Sequence, residues 1–224
     1  MTKIGKFLGG CAAALLALAV ARADTIETFT HTTATTTVPF TDTFLLPGFD
    51  TSLGTLDDIT ITLDATGTAE VDVMNGTASP LSFTGATAKI PVSLTGPGPT
   101  STSVTLSAGP TSGTAAPGFN AFPGLLASAT NSVMVIPADF SLFEGLGLIV
   151  SVNVNAGSGT YSGTSEPGLF FGGSSTAGAV TTIAYSFLPA STSVPEPATV
   201  SLFGGALLGI GYLLKKAVPS RKRP

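Results

Sequence analysis

The stretch LDDITITL, residues 56–63, decides the fold. After Leu56 and two aspartates it settles into strict alternation, with Ile59, Ile61 and Leu63 on one side and Thr60 and Thr62 on the other. Period two with β-branched residues is the pattern of a half-buried strand. Gly67 is expected to break the run. Ala69, Val71 and Val73 then resume it against Glu70 and Asp72. Asn75-Gly76 is a tight-turn signal.

The same pattern recurs along the chain. Leu81-Ser82-Phe83 opens a strand, and Val92/Leu94 and Val104/Leu106 mark two short ones. Val133 to Ile136 is apolar throughout and predicts a buried strand. Leu146 to Asn155 alternates through Leu148, Val150, Val152 and Val154. Ile183, Tyr185 and Phe187 form the last strand, ended by Pro189. Between these runs stand Gly96-Pro97-Gly98-Pro99, Gly109-Pro110, Pro117-Gly118, Pro123-Gly124 and Pro167-Gly168. No helical period is sustained from Asp24 to Pro189. The expectation is all-β: a single β-sandwich of about 8–10 strands. It fills residues 24–189, without internal repeat or second-domain boundary, and 190–193 form a linker. An N-terminal signal peptide helix and a C-terminal transmembrane helix flank it.

The front of the chain reads as a secretory signal peptide, residues 1–23. Lys3 and Lys6 precede an apolar stretch from Phe7 to Val20, and Ala21 and Ala23 frame a small-x-small cleavage site. The one cysteine, Cys11, leaves with it, so the exported chain forms no internal disulfide. All thirteen acidic residues lie between Asp24 and Glu196, against one base, Lys89, a net charge of −12 for that span. Such a body repels nucleic acid and anionic lipid.

The last thirty residues have their own grammar. Pro195-Glu196-Pro197 is extended and cannot enter a helix. An apolar run follows at 198–214, about 26 Å as helix, short for a hydrocarbon core of about 30 Å. The tail, 215–224, carries Lys215, Lys216, Arg221, Lys222 and Arg223, which fix a cytoplasmic end and leave the body outside. Val194 to Pro224 resembles the PEP-CTERM sorting signal. The resemblance implies recognition of Pro195, Glu196 and Pro197 by an exosortase.

Two stretches of the body carry a second resemblance. Phe44 to Leu56, with Phe49-Asp50-Thr51-Ser52-Leu53-Gly54-Thr55-Leu56 at its end, and Thr182 to Phe187 are together similar to the choice-of-anchor E family of bacterial surface proteins. That implies an extracellular β-domain and no activity. Read physically, Phe49 plugs the core and Asp50 bonds the backbone of the Thr51-Ser52 turn. The sharper reading is a calcium site from Asp50, Asp57 and Asp58, although no Asp-x-Asp-x-Asp-Gly loop exists.

Catalytic constellations are sparse. One histidine, His31, stands in a threonine-rich run and is the sole basis for a triad. The mature chain lacks the His and Cys complement of a zinc site. Asp57/Asp58 and Glu70/Asp72 are carboxylate pairs, and glycoside chemistry needs such a pair across a cleft. Asn75-Gly76-Thr77 matches a glycosylation sequon. Residues 168–173 lack a phosphate-binding pattern and read as a buried strand end. The leading expectation is a non-enzymatic envelope or extracellular-matrix protein without cofactor. Its partners are the secretion machinery, an exosortase, the inner membrane transiently, and exopolysaccharide. Its location is the cell surface or matrix, reached through a membrane-anchored precursor. The alternatives are a carbohydrate-binding surface module, for which stacking platforms must come from Phe, and a glycosidase.

Overall fold

The computed structural model describes residues 24–190, together with Gly204 and Leu207. Residues 1–23, expected as a signal peptide, residues 191–193 of the expected linker, and the expected sorting segment 194–224, apart from Gly204 and Leu207, lie outside the described residues. The body has nine strands: β1 (Thr25–Thr37), β2 (Phe40–Pro47), β3 (Gly54–Asn75), β4 (Leu81–Thr95), β5 (Ser101–Ala115), β6 (Gly118–Met134), β7 (Ile149–Ala156), β8 (Thr160–Ser165) and β9 (Leu169–Pro189). A 3₁₀ turn, Pro137–Leu142, separates β6 from β7.

These strands form two antiparallel sheets packed as a β-sandwich. The first has the order β1-β9-β3-β6. The second has the order β2-β7-β4-β5, with β8 also paired to β4. Most connections cross from one sheet to the other. Alternation drives this arrangement, because each strand has one apolar face to bury and one hydroxyl-rich face to leave in water. Ile59, Ile61, Leu63, Val71 and Val73 of β3 are all fully buried, as are Ile183 and Tyr185 of β9.

The long strands make the body elongated. β3 has 22 residues, which at about 3.3 Å per residue spans roughly 70 Å. Both ends of the body emerge at one pole. Thr25 pairs with Phe187, Gly54 pairs with Pro189, and the Ala190 N–H donates to Leu53 O at 2.8 Å. At the opposite pole Asn75 pairs with both Gly118 and Leu169. The core divides the same way. Phe49, Phe143, Ile59, Ile183 and Tyr185 fill the half near the chain ends, and Val71, Val73, Phe83, Ala88 and Leu169 fill the far half.

Several sequence expectations need correction. Gly67 does not break β3. It lies inside the strand, where an added Cβ would sit 2.6 Å from Thr176 O and 2.9 Å from Leu106 Cδ1, so glycine permits the close approach. Gly109-Pro110 and Pro123-Gly124 likewise fall within β5 and β6. Val133 to Ile136 is not a buried strand. Met134 and Ile136 are exposed while Val135 is buried, because β6 is an edge strand whose outer face is open. Asn75-Gly76 makes no two-residue hairpin, since β3 and β4 belong to different sheets. In the Gly168–Gly173 stretch Leu169 is buried but Phe170 is exposed.

Candidate functional site

Near the chain ends, the sequence-predicted residues take structural posts. Phe49 is fully buried, with its ring centroid 5.9 Å from that of Tyr185 and 5.0 Å from that of Phe187. Asp50 Oδ1 accepts the Ser52 N–H at 2.8 Å, and hydrogen bonds from Ser52 hold this carboxyl below its ordinary range. Asp57 is exposed at a bulge in the pairing of β3 with β9, between Leu56 and Asp58. Asp58 Oδ2 accepts from the Thr60 hydroxyl at 3.3 Å. Asp50, Asp57 and Asp58 do not converge, and among the described residues no three His, Cys, Asp or Glu side chains form a metal-sized group.

His31 joins the two sheets at their edge. Its ring stacks on Phe44 with centroids 3.8 Å apart, and Nε2 lies 3.2 Å from Asp42 Oδ2. No serine, threonine or tyrosine hydroxyl is hydrogen-bonded to this imidazole among the contacts of the described residues, so the pair is an inter-sheet clasp. The sequon asparagine is also structural. Asn75 is buried, and its amide donates to Ser79 O and Ala115 O, both at 2.9 Å. Its nitrogen is thus committed within the fold.

Glu70 and Asp72 do share one face, as alternation requires, on the outside of the first sheet. Their surroundings are what the sequence left unread. At the far pole, Phe119 of β6 pairs with Met74 of β3, and Met74 pairs with Phe170 of β9. The three side chains stand in a row across the strands, with exposures of 67%, 48% and 67%. The next row is Ala121, Asp72 and Gly172. Its flanks carry almost no side chain, and the space above Gly172 is open. Asp72 is half-buried there, and its Oδ1 is shielded from solvent without a hydrogen-bond partner.

Beyond Asp72 a shallow hollow of about 250 Å³ is bordered by Glu70, Gly124, Ser174 and Thr176. Gly173 is what lets the chain pass here. Its φ is +150°, and an added Cβ would meet Glu70 O. Hydroxyl rows continue the face toward the chain ends: Thr68 and Thr176 bond at 2.7 Å, and Thr62 and Ser132 at 2.9 Å. The carboxylates of Glu70 and Asp72 therefore sit side by side on one strand of an open face, not across a cleft.

Met74 was legible in principle, because it interrupts the polar register of β3. Phe119 and Phe170 were not, because only the pairing of β6 and β9 with β3 aligns them. The two tyrosines of the body supply no platform: Tyr185 is buried, and Tyr161 is half-buried with its hydroxyl 2.7 Å from Ser175 Oγ.

The fold and face define an all-β antiparallel sandwich with an open, hydroxyl-rich outer surface. No protein-family model matches the chain, and no curated protein matches it. Among solved structures, it is similar to a chain of the infectious bursal disease virus Gt strain, at 12% identity and a TM-score of 0.21, over 85% of this chain and 50% of the viral one. A mutant VP2 protein of the same virus, in derived T=1 particles, gives 10% identity and a TM-score of 0.21, over 85% and 48%. The chain thus spans about half the length of these viral chains, and likeness this slight bears on neither fold nor function.

Proposed function

We propose that this chain is an exported, non-enzymatic envelope or extracellular-matrix protein, sorted by its C-terminal segment. In this reading residues 1–23 direct export and are removed after Ala23. The run at 198–214 halts in the inner membrane, with Lys215, Lys216, Arg221, Lys222 and Arg223 on the cytoplasmic side. An exosortase recognises Pro195-Glu196-Pro197, and the body reaches the cell surface or matrix. The observation that carries the reading is the fixed order of Pro-Glu-Pro triplet, short apolar run and basic tail. The body's geometry agrees with it. Asp24 and Ala190 leave from one pole, so a membrane-held precursor would project the opposite pole outward. Among the described residues no helix is long and apolar enough to cross a membrane; the run at 198–214 is not among them, apart from Gly204 and Leu207, both helical.

The test combines Pro195→Ala and Glu196→Ala in a host containing the exosortase, with intact mass spectrometry of surface and released fractions. Wild type should lose the segment after the triplet, and the variant should keep Arg221 to Pro224 and remain in the membrane. A wild-type protein that retains its basic tail at the surface would refute the sorting reading.

A second reading, a carbohydrate-binding module within the same body, is favoured by the exposed row of Phe119, Met74 and Phe170. The glycosidase reading has less support, because Glu70 and Asp72 lie along one strand of an open face rather than facing one another across a scissile bond.

A further inference from the structure

We propose that the outer face at the far pole docks an extended, neutral, β-linked polysaccharide. Phe119 and Phe170 stack on sugar rings, and Asp72 accepts a hydrogen bond from a sugar hydroxyl. This deepens the carbohydrate-binding reading, and it stands apart from how the protein is sorted.

Spacing is the first argument. Phe119, Met74 and Phe170 are in register on three adjacent strands, so the two aromatic rings are two inter-strand steps apart, roughly 9.5 Å. That is about the span of a disaccharide repeat in an extended β-linked chain. A glycan lying across the strands would meet one ring, the flexible Met74, then the second ring. Sugar rings carry apolar C–H faces that suit aromatic faces, and phenylalanine offers such a face at little entropic cost.

Asp72 is the second. It is half-buried in the row next to the rings; its Oδ1 is shielded from solvent, so a sugar hydroxyl meets the carboxylate at its other oxygen. Its in-register neighbours, Ala121 and Gly172, leave a lane beside the aromatic row that a hydroxyl can enter. An acceptor beside stacking rings is the chemistry that recognises a polyol.

Reach and area exclude two other occupants. The chain leaves the body at Ala190, and Phe170 is 20 residues away along β9, roughly 65 Å. The apolar run starts eight residues after Ala190, at most about 28 Å, and as the expected helix it would add about 26 Å, which together fall short of this pole. The exposed apolar area of two phenylalanines and one methionine is on the order of 300 Å², well under the roughly 800 Å² per partner of a stable protein interface. Charge selects the glycan type: a body of twelve acidic residues and one lysine, net −11, repels acidic polymers and anionic lipid alike.

The experiment is co-sedimentation of the purified full-length chain with microcrystalline cellulose and with chitin, beside the Phe119→Ala/Phe170→Ala and Asp72→Asn variants. Phe119 and Phe170 are exposed, so the double aromatic variant should keep the wild-type melting temperature. Wild type should be retained on at least one polymer. The double aromatic variant should bind at least tenfold more weakly, and Asp72→Asn several-fold more weakly. Absence of binding to both polymers, or equal binding by the double variant, overturns the proposal. So does a patch that instead drives self-association in analytical ultracentrifugation, or sedimentation with phosphatidylcholine vesicles, in a manner the double variant abolishes. No exosortase is present, so failure here leaves the sorting experiment untouched.

Discussion

The hydroxyl of Tyr185 donates to the carbonyl oxygen of Pro47 at 3.1 Å. This bond ties β9 of the first sheet to the end of β2 in the second. The ring itself is fully buried, with Phe29 edge-on at 6.1 Å. Tyr185 thus contributes apolar burial and a donor to the Pro47 carbonyl at the pole where the chain enters and leaves.

Tyr185→Phe keeps the ring and deletes the bond, so it should cost roughly 1–2 kcal/mol near neutral pH. The effect should depend on pH. Burial pushes this phenol well above its ordinary range, and the neighbouring Glu27 carboxylate adds to the rise. The unfolded chain loses the proton from about pH 10, while the folded chain keeps it. The bond's stabilisation is therefore complete below that point and declines as pH rises above it. Urea melts at about pH 8 and pH 11 should show the gap between wild type and variant narrowing. A constant gap would contradict the buried phenol.

Phe187 is 6% exposed and tilts against Phe49 with centroids 5.0 Å apart. Phe187→Ala should cost about 3–5 kcal/mol, read as a lower denaturation midpoint at unchanged slope. An unaltered midpoint would mean that this strand presents its other face to the core.

Asn75 holds the turn out of β3 with four bonds. Besides its two donated bonds, its Oδ1 accepts the Thr77 N–H at 2.9 Å and the Thr77 hydroxyl at 2.8 Å. Asn75→Ala should cost about 2–4 kcal/mol, since buried carbonyls lose their donor. The folded protein should also carry no sugar at Asn75 when exposed to a glycosylating extract. A glycopeptide containing Asn75 from natively folded protein would contradict the committed amide.

Gly67→Ala tests the close approach of the sheets. The new Cβ has backbone on one side, at Thr176 O, and the tip of Leu106 on the other. Overpacking of this kind should cost about 1–3 kcal/mol. A variant as stable as wild type would show that the β9 backbone at Thr176 and the Leu106 side chain of the second sheet yield there freely.

The sequence by itself determined the faces of the strands. Side chains alternate strictly with a period of two, so Ile59, Ile61, Leu63, Val71 and Val73, and later Ile183, Tyr185 and Phe187, declared their buried side without any partner in view. Phe49 and the Asp50 turn were legible for the same local reason, because an aspartate two residues before a backbone N–H makes its own bond. Strand ends were less legible. A glycine or proline has one spelling whether it ends a strand, as at Pro117-Gly118, or sits inside one, as at Gly67 and Pro123-Gly124. Only the pairing with strands distant in sequence distinguishes these cases. Pairing was left wholly to the tertiary structure. Nothing local says that β9 lies between β1 and β3, or that β6 closes the sheet's other edge. Register between strands far apart in sequence depends on the whole packed core. That register is what sets Phe119, Met74 and Phe170 in one row beside Asp72, from residues that lie up to 98 positions apart in the chain.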